Sequence, residues 1–123
     1  MKLYRVMKVA ADGKPQVGTR RNMLGVRPTD PTNANPKRKP DVAAVKDADA
    51  VSPGEGLSTS QNPAILRVDP GEKLFEIDSD DLGPDLVEQP DNPPHTLVQP
   101  VATMTLNEFQ QALADTRDLW KPV

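Results

Sequence analysis

Alternation of apolar and polar residues predicts a β-strand over residues 2–9. There Arg5 falls in phase with Leu3, Met7 and Val9, because successive side chains of a strand point to opposite faces. If this face packs on the core, the Arg5 guanidinium is partly buried and needs partners or a ligand. If the other face, with Tyr4, is the inner one, Arg5 is solvated. The pattern leaves both orientations open.

Further short strands are predicted in the middle of the chain and between the middle and the C-terminal helix. They cover residues 42–45, 56–60, 64–68, 73–77 and 95–99, each with a strand-like apolar run or alternation. The sequence Asp69-Pro70-Gly71-Glu72 is a turn between two of them. Residues 78–94 are predicted to be an acidic, proline-rich loop with one brief apolar spot.

One α-helix is predicted near the C-terminus. Thr105 and Glu108 have the spacing of a capping box, and Pro122 is expected to end the helix. Apolar positions recur between them at steps of three and four, as one buried stripe requires. The stripe consists of Leu106, Phe109, Leu113, Thr116 and Trp120. Strands and helix together predict an α+β fold.

Composition restricts the classes of protein further. The 123 residues are only 36% hydrophobic and include 14 prolines, which predicts a single domain over residues 1–123 with a small core and many loops. There is no cysteine and one histidine, His95, so disulfides, thiol catalysis and Cys- or His-rich metal sites are excluded and no metal is expected. No apolar run suits a membrane span and no signal peptide is visible.

Charge is distributed unevenly along the chain. Residues 19–40 contain six basic side chains and one acidic one, whereas residues 69–91 contain nine acidic side chains and one lysine. Both segments fit solvated loops; alternatively, the basic pole attracts a phosphate-bearing ligand. The net charge of −3 argues against nucleic acid as a default partner without excluding it.

A glycine-led run of hydroxyls offers the most specific chemistry. Gly54 and Gly56 precede Leu57-Ser58-Thr59-Ser60; glycine permits close approach of the backbone to a ligand, and each hydroxyl both donates and accepts. Ordinary turns produce similar runs. His95 opens a later strand after two prolines, and it is either a structural residue or a pocket-lining one.

Five short segments, taken in order, resemble the ADP-ribosyltransferase-like bacterial toxins, and within them a small type VI secretion effector family. They are Leu3-Tyr4-Arg5, Pro40-Asp41-Val42, Gly56-Leu57-Ser58-Thr59-Ser60, Gly83-Pro84-Asp85-Leu86 and His95-Thr96-Leu97. The resemblance spans nearly the whole chain. It implies a small, split, twisted β-sheet core with a cleft for nicotinamide dinucleotide (NAD) as substrate.

The resemblance also implies roles for individual residues. Arg5 would clamp a phosphate or ribose, Ser58 would bond the nicotinamide ribose, and Thr59 and Ser60 would hold the strand. His95 would act as an electrophilic or positioning residue. Gln99, on the same later strand, is a further cofactor-binding candidate. Such transferases usually carry a glutamate on the later strand, and here the catalytic carboxylate is Glu76, Glu88 or neither.

The expected function is a cytotoxic effector that is cytoplasmic in its producer and is delivered through the type VI apparatus, without a signal peptide, to act in the cytoplasm of a recipient cell. A cognate immunity protein is expected to neutralise it. Two alternatives stay open. A non-enzymatic module, such as a secretion adaptor or inhibitor, is favoured if Arg5, Ser58 and His95 are dispersed. An RNA phosphate-handling enzyme requires the basic loop to border the pocket that those residues line.

Overall fold

Eight strands and one α-helix make up the regular structure of the computed structural model, which describes residues 1–35, 37 and 39–123. Pro36 and Arg38, which belong to the basic loop of the sequence, lie outside the described residues. In chain order the elements are β1 (Lys2–Lys8), β2 (Ala50–Val51), β3 (Leu57–Ser60), β4 (Glu72–Asp78), β5 (Leu86–Pro90), β6 (His95–Pro100), β7 (Met104–Thr105), α1 (Leu106–Asp115) and β8 (Lys121–Pro122).

The strands form a six-stranded sheet in the order β5-β6-β3-β1-β4-β8, and β2 pairs with β7 in a small separate ribbon. Every pairing between these named strands is antiparallel. The predicted α+β class is confirmed, and so are the strands expected over residues 2–9, 56–60, 73–77 and 95–99, within one or two residues at their ends.

One face of the sheet and the helix share a single core. Leu3 and Met7 of β1 are fully buried, as are Phe109 and Leu113 of α1 to within about 1%. The helix begins as predicted, because Thr105 Oγ1 accepts from the Glu108 N–H while Glu108 Oε1 accepts from the Thr105 N–H, both at 3.1 Å. Arg5 therefore lies on the inner face of β1, the first of the two orientations that its sequence allows.

Strands β1 and β3 pair at one position and then diverge. Tyr4 lies opposite Ser60, whereas β1 pairs with β4 along its whole length, from Lys2 opposite Asp78 to Lys8 opposite Glu72. The Arg5 guanidinium bridges the divergence, since its Nη1 donates to the Ser58 carbonyl oxygen at 2.9 Å. The sheet is thus opened locally between β1 and β3.

Two predicted strands are wrong, and their backbone groups bond to side chains and to loop backbone instead of to a neighbouring strand. Residues 42–45 are irregular: the Ala43 N–H donates to Glu55 Oε2 and the Val45 N–H to Asp49 Oδ2. Residues 64–68 begin as a 3-10 turn (Pro63–Ile65), which Asn62 caps by accepting from the Ala64 N–H. The Ala44 carbonyl oxygen also accepts from the Thr29 N–H at 2.9 Å, so these bonds take the place of a strand ladder.

Two element boundaries also differ from the expectation. The predicted acidic loop contains β5, which forms a hairpin with β6 from Leu86 opposite Pro100 to Pro90 opposite Thr96. The helix ends at Asp115, and a 3-10 turn (Arg117–Leu119) follows it. Trp120 is nevertheless buried, as the stripe predicts, and its Nε1 donates to Thr116 Oγ1 at 3.0 Å.

Candidate functional site

A cavity of about 330 Å³ lies at the opened part of the sheet, and we call it the polar cavity. Five of the six predicted site residues line it together. The sixth, Gln99, is outside it. The sheet residues around the polar cavity are Tyr4, Arg5, Val6, Ser58, Thr59, Ser60, Glu72 and His95, and neighbouring segments add Arg21, Asn22, Ile65, Leu66 and Arg67.

The register of three strands places polar side chains in a row on the outer face of the sheet. Tyr4 of β1 is opposite Ser60 of β3, and Ser60 is opposite His95 of β6. Side chains directly opposite each other have Cβ atoms about 4.5–5.5 Å apart. Ser58 lies two residues along β3 on the same face, a diagonal neighbour of His95. A phenol, two hydroxyls and an imidazole therefore face one small volume.

His95 is held in a defined orientation by the hairpin turn that precedes it. Its Nδ1 lies 3.0 Å from the Asp91 carbonyl oxygen and 3.4 Å from Asp91 Oδ2. A carbonyl oxygen only accepts, so Nδ1 carries the proton in the neutral ring and Nε2 keeps its lone pair. The ring thus presents an acceptor nitrogen, as a general base requires.

The three hydroxyls of the glycine-led run differ in their environments. Thr59 is buried and donates to the Thr96 carbonyl oxygen at 2.7 Å. Ser60 Oγ is part of a local turn, donating to the Asn62 carbonyl and accepting from the Asn62 N–H, both at 3.0 Å. Ser58 is half-buried, and its hydroxyl has no hydrogen-bond partner within the described part of the chain. Ser58 is therefore the hydroxyl available to a ligand.

Arg5 is occupied by the protein's own backbone. In addition to the bond to Ser58, Nη2 donates to the carbonyl oxygens of Arg21 and Met23, each at 2.9 Å. Burial, partly offset by the charge of Asp41, lowers the pKa of the guanidinium to about 10, so it remains charged at neutral pH. Nε is buried without a partner among the described residues.

Glu72 is the carboxylate that the structure brings to the polar cavity. At the first position of β4, its Oε2 accepts from Asn22 Nδ2 and its Oε1 from the Asp69 N–H, both at 3.0 Å. Neither Glu76 nor Glu88 lines the cavity. Sequence reasoning assigned Glu72 to a turn, and the only available signal was its position directly before a predicted strand.

The glycines of the hydroxyl run serve the protein's own packing. The Gly54 N–H donates to Gln99 Oε1 at 2.9 Å, which accounts for Gln99 being buried away from the polar cavity. A Cβ at Gly56 would overlap the Val98 carbonyl oxygen. The close approach that the glycines were expected to permit is therefore between β6 and the start of β3.

Substituting Gly56 by alanine is expected to lower the free energy of unfolding by at least about 3 kcal/mol, because the added methyl group meets backbone that cannot move aside cheaply. The matched control is Gly54→Ala. Gly54 has a φ of 103° and open space around its Cβ position, so that change costs only about 1–2 kcal/mol of backbone strain. Urea denaturation of both variants measures the difference, and equal losses would contradict the steric explanation.

Two further observations on the described residues concern metal binding and membrane-spanning helices. Among these residues, no group of three or more His, Cys, Asp or Glu side chains is arranged to hold a metal ion. Nor does any helix there have the length and apolar character to cross a membrane.

Comparisons with known proteins do not assign the chain to a family. A scan against protein-family models, a search of curated proteins and a search of solved structures each gave no match.

Proposed function

We propose that the protein is an ADP-ribosyltransferase-like toxin that binds NAD in the polar cavity and cleaves its nicotinamide–ribose bond. The observation that carries the proposal is the joint lining of one cavity by Arg5, Ser58 and His95, residues that lie far apart in the chain. A non-enzymatic module has no need to gather them. The opening of the sheet between β1 and β3 is the kind of cleft that the resemblance implies.

The chemistry assigns a separate role to each available group. When the bond between ribose C1′ and the nicotinamide nitrogen breaks, nicotinamide leaves with the electron pair and positive charge develops on the ribose. The Glu72 carboxylate stabilises that charge. Asn22 and Asp69 use two of its roughly four acceptor positions, so two remain for the ligand. Ser58 bonds the ribose, and His95 Nε2 takes the proton from the nucleophile that attacks C1′.

Arg5 acts indirectly in this proposal. By holding the carbonyl groups of Ser58, Arg21 and Met23, it fixes one wall of the polar cavity and leaves the binding of phosphate to other cations. Arg21 and Arg67 line the same cavity. Of these, Arg67 pairs with Asp69 at 3.0 Å, and Arg21 has no ion pair among the described residues.

Incubating the purified protein with NAD, alone and with a bacterial lysate, tests the proposal. We expect release of nicotinamide and, with lysate, a mass increase of one ADP-ribosyl group on a macromolecule. Ser58→Ala should reduce the rate of release by about 10-fold or more, whereas Thr59→Ser, which keeps the hydroxyl that bonds Thr96, should not.

Toxicity is tested separately by tightly controlled expression in bacteria. We expect growth arrest with the parent protein and relief with Ser58→Ala at equal protein levels. If the intact parent accumulates without a growth defect and releases no nicotinamide under any of these conditions, the proposed function is wrong. A cognate immunity protein would then have nothing to neutralise.

A further inference from the structure

A second and larger cavity adjoins the first. Its volume is about 960 Å³, and we call it the basic cavity. It lies along the basic loop, and Arg21 lines both cavities. The backbone at Arg21 is anchored to β1 by the bond from Arg5 Nη2 to its carbonyl oxygen. The shared residue is therefore fixed relative to the sheet and connects the two cavities.

The charges around the basic cavity are largely uncompensated. Five of its lining residues are cationic: Arg20, Arg21, Arg27, Lys37 and Lys39. Arg27 is neutralised, because its Nε and Nη2 meet the two carboxylate oxygens of Asp41 at 3.2 and 3.1 Å. Within the described residues the other four form no ion pair.

The anionic and apolar groups of the basic cavity are few. Asp30 is its only acidic lining residue among those described, and its Oδ1 already accepts from the Thr32 N–H and hydroxyl at 2.9 and 2.7 Å. No aromatic side chain is found among its described lining residues. Protein–protein interfaces depend on buried aromatic or aliphatic anchors, whereas nucleic-acid interfaces are more polar and much more positively charged. The lining therefore favours a polyanion with a repeating phosphate.

We propose that the basic cavity binds the phosphodiester backbone of a single-stranded nucleic acid and that Arg21 leads this strand to the mouth of the polar cavity. A single strand fits better than a duplex, because reading a groove requires a protruding helix or ribbon and this surface is concave. Without aromatic residues among the described lining the bases have no stacking platform there, so binding is independent of sequence. Binding of the strand in the basic cavity does not depend on the proposed function. Only the approach of the strand to the polar cavity rests on that function.

Fluorescence anisotropy with labelled RNA and DNA strands of about 12 nucleotides tests the proposal. Four phosphate contacts predict a slope of about −2.8 for log K against log salt concentration, and hence a loss of roughly 50-fold in affinity between 50 and 200 mM salt. A quadruple variant that removes the four unpaired cations should bring the slope close to zero and weaken binding at 50 mM salt at least about 100-fold. Its substitutions are Arg20→Gln, Arg21→Gln, Lys37→Gln and Lys39→Gln.

The matched control changes the net charge by the same amount at four other exposed lysines that form no ion pair among the described residues. Its substitutions are Lys8→Gln, Lys46→Gln, Lys73→Gln and Lys121→Gln. The control should keep a slope of about −2.8. Thermal unfolding of both variants verifies that they fold, and folding is expected because the Arg21 carbonyl that Arg5 holds is unaffected by the side-chain change.

Four results would overturn the proposal. They are the absence of binding to either strand at 50 mM salt, equal weakening by the control variant, competition by free ATP at the concentration of the strand itself, and equal binding of a polyglutamate peptide. Ser58→Ala should bind the strand normally. If the parent protein releases nicotinamide but binds no strand, this inference alone is rejected, whereas strand binding by the parent without nicotinamide release would reject only the proposed function.

Discussion

Replacing Glu72 by glutamine is expected to slow nicotinamide release from NAD by about 100-fold or more, the usual effect of removing a group that stabilises charge in a transition state. Glutamine keeps the shape of the side chain and one acceptor oxygen for Asn22 or Asp69. It loses the negative charge that faces the developing positive ribose. The dissociation constant for NAD should change by less than about threefold, because the positive charge moves from the nicotinamide ring to the ribose only during the reaction.

Glu76→Gln is the matched control for this experiment. Glu76 lies on the same strand, pairs with Lys2 at 3.6 Å and does not line the polar cavity, so its loss should leave the rate of nicotinamide release unchanged. Glu72→Asp should retain part of the rate, since it keeps the charge on a shorter side chain. Turnover by Glu72→Gln at the parent rate would show that Glu72 is not the stabilising carboxylate.

Replacing Arg5 by methionine is expected to lower the midpoint of thermal unfolding by about 10 °C or more. Three charge-assisted hydrogen bonds disappear, and the carbonyl groups of Ser58 and Met23 lose their partner in a partly buried site, while that of Arg21 is exposed. Each such bond contributes about 1.5–3 kcal/mol, and removing one partner leaves the other with the full cost of desolvation. Part of this loss is offset, because the buried guanidinium charge and its unpartnered Nε–H no longer have to be desolvated.

Arg67→Met is the control, because it removes an arginine side chain that does not hold backbone carbonyl groups in the described part of the chain. Its side chain is 90% exposed and, among the described residues, pairs only with Asp69, so its removal should hardly change the unfolding midpoint. A midpoint for Arg5→Met within 2 °C of the parent, a shift that corresponds to well under 1 kcal/mol, would contradict a structural role. Binding of NAD by folded Arg5→Met at low temperature separates the two roles, because a phosphate clamp would lose NAD even where the protein remains folded.

The hydroxyls and the histidine of the candidate site were predictable from the sequence, but its carboxylate was not. The hydroxyls and His95 are visible in the sequence because they lie on strands whose local alternation identifies them. Glu72 is not visible, because a glutamate in the sequence Asp-Pro-Gly-Glu has the pattern of a turn. It reaches the polar cavity only because β4 pairs with β1 along its whole length, which places the first residue of β4 beside the Asn22 segment.

The sequence by itself determined the elements that depend on neighbouring residues: the alternation of β1, β4 and β6, the strand of hydroxyls, and the helix that Thr105 caps. The tertiary structure alone decided which face of β1 is buried, that β5 forms within the acidic loop, and that Arg5 binds carbonyl groups. The physical reason is distance along the chain. Arg5 and Ser58 are separated by 53 positions, and no local pattern records which backbone oxygen a buried guanidinium will meet.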